Sequence, residues 1–221
     1  MTPLIREACS LDADVALACV WFDMGTLTAW EAGGLRLPSL RLPFGKCGIV
    51  YTDSYGAPNA MLATQEDDDV ALVSVHFLRS TKPGPLFAVR LRDGSIETAQ
   101  VEGEQNPPDE AKIEFLHALA DFLRATHPCG YRATSKRSAT NDRRAAKGKA
   151  PLVYSWHTVT IDRPAQKSDY QGGTHATPRL HQRRGHWRTL ASGREVWVRD
   201  CMVGDAARGT VWKDYRVACA A

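Results

Sequence analysis

Long apolar runs are missing from this chain. No stretch without a charged residue exceeds about a dozen positions, whereas a bilayer helix needs roughly 20. The best apolar segment, Val15 to Phe22, is bounded by Asp12, Asp14 and Asp23. The N-terminal residues have no basic leader, long apolar core or small-residue cleavage site, so the expectation is no membrane span and no classical secretion. Cysteine is sparse: six residues, at 9, 19, 47, 129, 201 and 219, none in a C-x-x-C pair. That spacing supports neither a zinc ribbon nor a thioredoxin-type redox site. It fits reduced thiols serving as small core hydrophobes in a cytosolic protein. Also lacking are a P-loop, a dinucleotide glycine fingerprint, a G-x-S-x-G elbow and a kinase signature. Gly172-Gly173-Thr174 is too short for a phosphate cradle, so no cofactor is expected. There is no internal repeat and no low-complexity tract.

What is present is ordinary globular composition. The 221 residues are 43% hydrophobic and 24% charged, and we read residues 1–221 as one α+β domain. The net charge of +3 hides a polarity. Residues 1–110 hold 8 basic and 16 acidic side chains, and residues 111–221 hold 20 basic and 9 acidic. An acidic half followed by a basic half hints at a polyanionic partner for the latter. The plainer account is that the two halves attract each other.

Along the chain, Ser10 reads as an N-cap with Asp12 and Asp14 in the first turn, predicting a helix over 11–31 with Gly25 as a break and Gly33-Gly34 as its stop. Pro38 and Pro43 punctuate an extended connector from Leu35 to Phe44. From 46 to 104 the pattern is β, with strands expected at Cys47–Thr52, Ala60–Thr64, Val70–Leu78, Leu86–Arg92 and Ile96–Val101. Asp93-Gly94 marks a tight hairpin turn because both residues tolerate positive φ. The acids Glu66 to Asp69 read as a solvated turn rather than a metal cluster. Asn106-Pro107-Pro108-Asp109 opens a helix on which Ile113, Leu116, Ala120 and Leu123 repeat at helical spacing, ending at His127-Pro128. A polar helix is expected over Ser135–Lys147, a strong strand over Leu152–Ile161, and a long loop at about 162–178. A hairpin, His186–Leu190 with Glu195–Arg199, and a last strand, Thr210–Val217, complete an antiparallel sheet with two or three helices. Trp21, Leu116, Trp156 and Val159 are the expected core positions.

Candidate chemistry concentrates in 175–199, which holds His175, Arg179, His181, Arg183, Arg184, His186, Trp187, Arg188, Arg194, Trp197 and Arg199. Strand alternation places His186 and Arg188 on one face and Trp187 on the other. Guanidinium groups make bidentate phosphate contacts, and aromatic planes stack on unpaired bases. The expected nucleic-acid-binding set is therefore Arg179, Arg183, Arg184, Trp187 and Arg188. A second basic run adds Lys136, Arg137, Arg143, Arg144, Lys147 and Lys149. Two other chemistries compete. His175, His181 and His186, with Cys201 or Asp200, would make a metal site, but their spacing matches no compact signature and no metal is expected. His186 beside Arg188 would suit acid–base catalysis in a small endoribonuclease or toxin-like nuclease, with His186 neutral among like charges and Gly185 allowing close approach of a ligand. Whether a reaction is catalysed is left open. The bland account is a solvated hairpin face.

The order Leu42-Pro43-Phe44, then Asn141-x-x-Arg144-x-x-x-Gly148-Lys149-x-Pro151-Leu152, then Arg183-Arg184-Gly185-His186-Trp187-Arg188 before Val196-Trp197-Val198 and Gly204, resembles a group of proteins from phages, prophages and other bacterial mobile elements. The likeness spans roughly 37–217 and is most specific in the R-G-H-W-R hairpin. It carries no activity with it; it implies a bacterial cytoplasmic setting and mobile-element biology. The resulting expectation is a nucleic-acid-binding protein whose partner is RNA, DNA or a host nucleoprotein complex. The alternatives are the His186-centred nuclease and a non-enzymatic inhibitor of a host defence or nucleic-acid-processing complex.

Overall fold

A computed structural model describes residues 2–11, 19–27, 40–78, 84–103, 108–126, 132–135, 146–147, 154–162 and 178–217. The described residues are sheet-dominated, with a large mixed sheet and two helices. Helix α1 is Pro3–Leu11 and strand β1 is Val20–Thr26. A meander of β2 (Lys46–Thr52), β3 (Pro58–Gln65), β4 (Val70–Phe77), β5 (Leu86–Arg92) and β6 (Ser95–Gln100) follows, then α2 (Asp109–Thr126). The remainder is β7 (Arg132–Ser135), β8 (Tyr154–Asp162), β9 (Arg179–Arg183), β10 (His186–Thr189), β11 (Glu195–Val198), β12 (Cys201–Val203) and β13 (Asp205–Val217).

The meander forms as its pattern dictates. On β4, Ala71, Val73 and Val75 are buried while Leu72, Ser74 and His76 are only half-buried, the period-2 signature of a sheet with one face in a core. The antiparallel register lays Cys47, Ile49 and Tyr51 beside Ala63, Met61 and Asn59, and carries the same face on through Val73 to Phe87. Against that face α2 packs Phe115, Ala118, Leu119, Phe122 and Leu123. Asp109 and Glu110 in its first turn and Arg124 in its last complement the helix dipole. On the opposite face, Ile5 and Ala8 of α1 cover Trp21, Val50 and Ala60. Trp21 pairs with Gly48 in register, and a Cβ on Gly48 would meet the indole at 2.4 Å. The Asp93-Gly94 turn has positive φ at both residues, 49° and 75°, as the type I′ hairpin requires.

Three expectations are corrected. Val20–Thr26 is a strand, not part of a helix over 11–31, and Ser10 lies in the last turn of α1 instead of capping a helix. Trp21 to Met24 are all buried, because β1 lies between two other strands with packing on both faces; such a run carries no period to separate strand from helix. Ser135 belongs to β7, not to the start of a polar helix; residues 136–145 of that helix lie outside the described residues. Finally, the sheet is mixed. β1 runs parallel to β2 and to β13, and β13 runs parallel to β8 and β9.

β13 is the branch point. Tyr215 and Arg216 pair with β8 on one edge and β1 on the other, and Thr210 and Val211 pair with β8 and β9. β1 and β9 therefore lie end to end along one edge of β13, with β8 and then β7 on the other. Of the expected core positions, Trp21 is buried and Leu116 packs at the core margin. The backbones of Trp156 and Val159 pair with β13; their side chains, and loop residues 163–177, lie outside the described residues. No helix among the described residues is long and apolar enough to cross a membrane.

Candidate functional site in the basic C-terminal region

Residues 178–217 contain nine Arg or Lys and four Asp or Glu. Strand β9 brings three of the expected residues together. Alternation puts Arg179, His181 and Arg183 on one face, and the register adds Val211 and, two residues on, Lys213 of β13. After Arg183 the chain leaves the sheet, makes the β10–β11 ribbon, and returns as β12, antiparallel to β9.

The ribbon has the expected register, with His186 opposite Val198, Trp187 opposite Trp197 and Arg188 opposite Val196. Its turn closes with Leu190 N–H donating to Arg194 O at 2.8 Å and Gly193 N–H donating to Leu190 O at 2.9 Å. Trp187 and Trp197 pack edge to face with centroids 5.4 Å apart, a cross-strand aromatic pair that stiffens a ribbon too short to hold itself. Gly185 is needed for this packing. Its N–H donates to Pro43 O at 2.6 Å, and a Cβ there would lie 2.5 Å from the Trp197 ring. The room expected at Gly185 for a ligand is thus filled by Trp197.

The cations differ in their freedom. Arg183, Arg188 and Arg194 are exposed, and none of them forms an ion pair among the described residues. Arg199 is exposed but lies 3.6 Å from Asp68, in the acidic turn between β3 and β4; Arg41 meets the same carboxylate at 3.4 Å. Arg184 is half-buried beside Tyr215, and burial lowers its pKa. Burial pushes the Tyr215 hydroxyl up to about 12, with Arg184 pulling the other way. Arg179 is half-buried and Lys147 exposed. Lys136, Arg137, Arg143, Arg144 and Lys149 lie outside the described residues.

The two described histidines of this region have different partners. His186 is half-buried, and its Nε2 accepts from the Arg183 guanidinium at 3.5 Å, the outer limit of a hydrogen bond. His181 is turned inward along its own strand, its Nδ1 donating to Arg179 O at 2.9 Å. Asp200 accepts from Gln182 Nε2 at 2.9 Å. His175 lies outside the described residues. Among those described, no three His, Cys, Asp or Glu side chains converge to hold a metal ion.

Sequence reasoning overlooked β9 as the element that anchors the ribbon, and the engagement of Arg199 by Asp68. The first left no period-2 apolar trace, since Arg179–Arg183 alternates Arg, Leu, His, Gln and Arg. No family model, curated protein or solved structure matches this chain.

Proposed function

We propose that the protein binds nucleic acid through the basic extension of its sheet, with β9 and the β10–β11 ribbon meeting phosphates. The observation that carries this reading is the exposure of Arg183, Arg188 and Arg194, without ion pairs among the described residues, on one ribbon and its root. Exposed guanidinium groups held by strands are suited to bidentate phosphate contact. A two-stranded antiparallel ribbon is also of a size that enters a major groove. The setting, a phage or mobile-element protein in a bacterial cytoplasm, rests only on the resemblance over residues 37–217, which is most specific in the R-G-H-W-R hairpin.

The test is fluorescence anisotropy with labelled duplex DNA, single-stranded DNA and RNA across a salt series. Affinity should fall with salt, log K dropping roughly 0.7–0.9 per phosphate neutralised. Replacing Arg183, Arg188 and Arg194 together by Gln should flatten that slope by about 2–3. His186→Ala should cost less affinity than Arg183→Ala or Arg188→Ala. Turnover of RNA by the wild type, lost in His186→Ala with the fold intact, would favour the nuclease instead. Absence of affinity at low salt would end the binding reading.

A further inference from the structure

The β10–β11 ribbon has two chemically distinct faces. Register and alternation place His186, Arg188, Val196 and Val198 on one of them, and Trp187, Thr189, Glu195 and Trp197 on the other. The bond from Leu190 N–H to Arg194 O continues that register, adding Leu190 and Arg194 to the first face. Arg183 reaches His186 Nε2 at 3.5 Å, so it stands at the foot of the same face. Glu195, the one acid from 183 to 199, falls on the other. Arg183, Arg188 and Arg194 thus share one side of the ribbon, with Leu190, 38% exposed, at its tip.

The aromatic face is not open to a base. Trp187 and Trp197 are both half-buried and pack on each other edge to face, with centroids 5.4 Å apart. Trp187 Nε1 is buried, and the Trp197 ring fills the space that a side chain at 185 would need. Recognition of unpaired strands draws on exposed aromatic rings that stack on successive bases, and the ribbon offers none. Its cationic face offers guanidinium groups on either side of an apolar tip.

A duplex can receive that face only where a groove is wide enough. Paired strands lie about 4.8 Å apart before any side chain is added. That is too broad for the B-form minor groove, about 6 Å wide, and suits the major groove, about 12 Å wide. The major groove of A-form RNA is too narrow for side chains to read. In the B-form major groove, arginine meets guanine edges or flanking phosphates, and an apolar side chain meets the thymine methyl group, which that groove alone presents. On the premise that the basic extension binds nucleic acid, we infer that its ligand is B-form duplex DNA. The cationic face of the ribbon lies in the major groove, and Leu190 is a specificity-determining residue that packs on a thymine methyl group.

Anisotropy titration of the protein with four labelled ligands of matched length and sequence tests this. They are duplex DNA, the same duplex with deoxyuridine in place of every thymidine, the single DNA strand, and duplex RNA. The thymine-containing duplex should bind tightest. Removing its methyl groups should weaken binding about threefold to fourfold, the worth of one buried methyl group, and Leu190→Ala should erase that difference. Leu190 is exposed beside a turn, so the alanine variant should keep its fold, which a thermal melt checks. Tighter binding of the single strand or of duplex RNA, equal affinity for the two DNA duplexes, or a methyl preference that survives in Leu190→Ala would overturn the inference and leave nucleic-acid binding standing. Absence of affinity for all four ligands would end both.

Discussion

Arg199 and Asp68 meet at 3.6 Å across the boundary between the basic and acidic halves of the chain. Both are exposed, at 84% and 71% of the side chain, so the pair is screened and weakly held. Arg41 approaches the same carboxylate with a side chain only 15% exposed. Removing Arg199 alone, or the carboxylate it shares with Arg41, should therefore have very different consequences. Arg199→Gln should change stability by less than about 0.5 kcal/mol. Asp68→Asn should cost about 1–3 kcal/mol, because it strands a mostly buried guanidinium. Urea denaturation of the two variants checks the ranking, and equal effects would contradict it.

Gly48 and Trp21 make a second measurable contact. The Cβ of an alanine at 48 would sit 2.4 Å from the indole, within a sheet packed on both faces. Overpacking of this kind should cost about 1–3 kcal/mol. Trp21→Ala opens a cavity at the same place and should cost about 3–5 kcal/mol. The double variant should be less destabilised than the sum of the two, because the alanine at 48 then occupies space vacated by the indole. Strict additivity would show that the two residues do not share this space.

Glu114 gives a pH dependence. Burial, with Asp53 adding to it, raises its pKa above the ordinary carboxyl range. The folded state therefore holds its proton to higher pH than the unfolded state does. Its contribution is full below the unfolded pKa, and stability falls as pH rises through the folded value. Glu114→Gln should abolish this dependence, making the variant more stable than wild type at neutral pH and erasing the advantage near the unfolded carboxyl pKa. Thermal melts across pH 4 to 8 measure the crossover; parallel curves would contradict it.

The thiols should separate by reactivity. Cys47 is fully buried, donates to Phe44 O at 3.4 Å, and is pushed far above the ordinary thiol range by burial. Cys201 is exposed on β12. Since the thiolate is the reactive form, a disulfide-exchange reagent should label Cys201 in the native protein and Cys47 only on unfolding. Mass spectrometry of the labelled peptides reads this directly, and native labelling of Cys47 would show that the core opens there.

The legible parts of this fold are those whose partners are close in sequence. Asp93-Gly94, the alternation on β4, the Ile113 to Leu123 face of α2 and the His186 hairpin each carry a local period or turn signal. β1 does not. Its Trp21 to Met24 run is buried throughout, and its parallel neighbours come from residues 47–52 and 215–216, a pairing that leaves no local mark. The same division holds at the sites. The arginine cluster is contiguous and legible as composition, whereas an acidic cavity joins Asp53 of the β2–β3 turn to Glu110, Glu114 and Asp121 of α2. Each of these, read alone, is an unremarkable turn or helix residue.

The seam at β13 has a consequence for how the molecule comes together. Synthesis runs from N to C, so the meander and α2 are available to one another long before residues 205–217 emerge. Until then β1 presents an unsatisfied parallel edge beside an already assembled core, and β9 has lost its anchor as well. Closing that edge requires a loop of almost the whole chain, the kind of distant pairing that folds slowly and invites self-association while it waits. β13 thus acts as the clasp that joins β1 and β9 to β8.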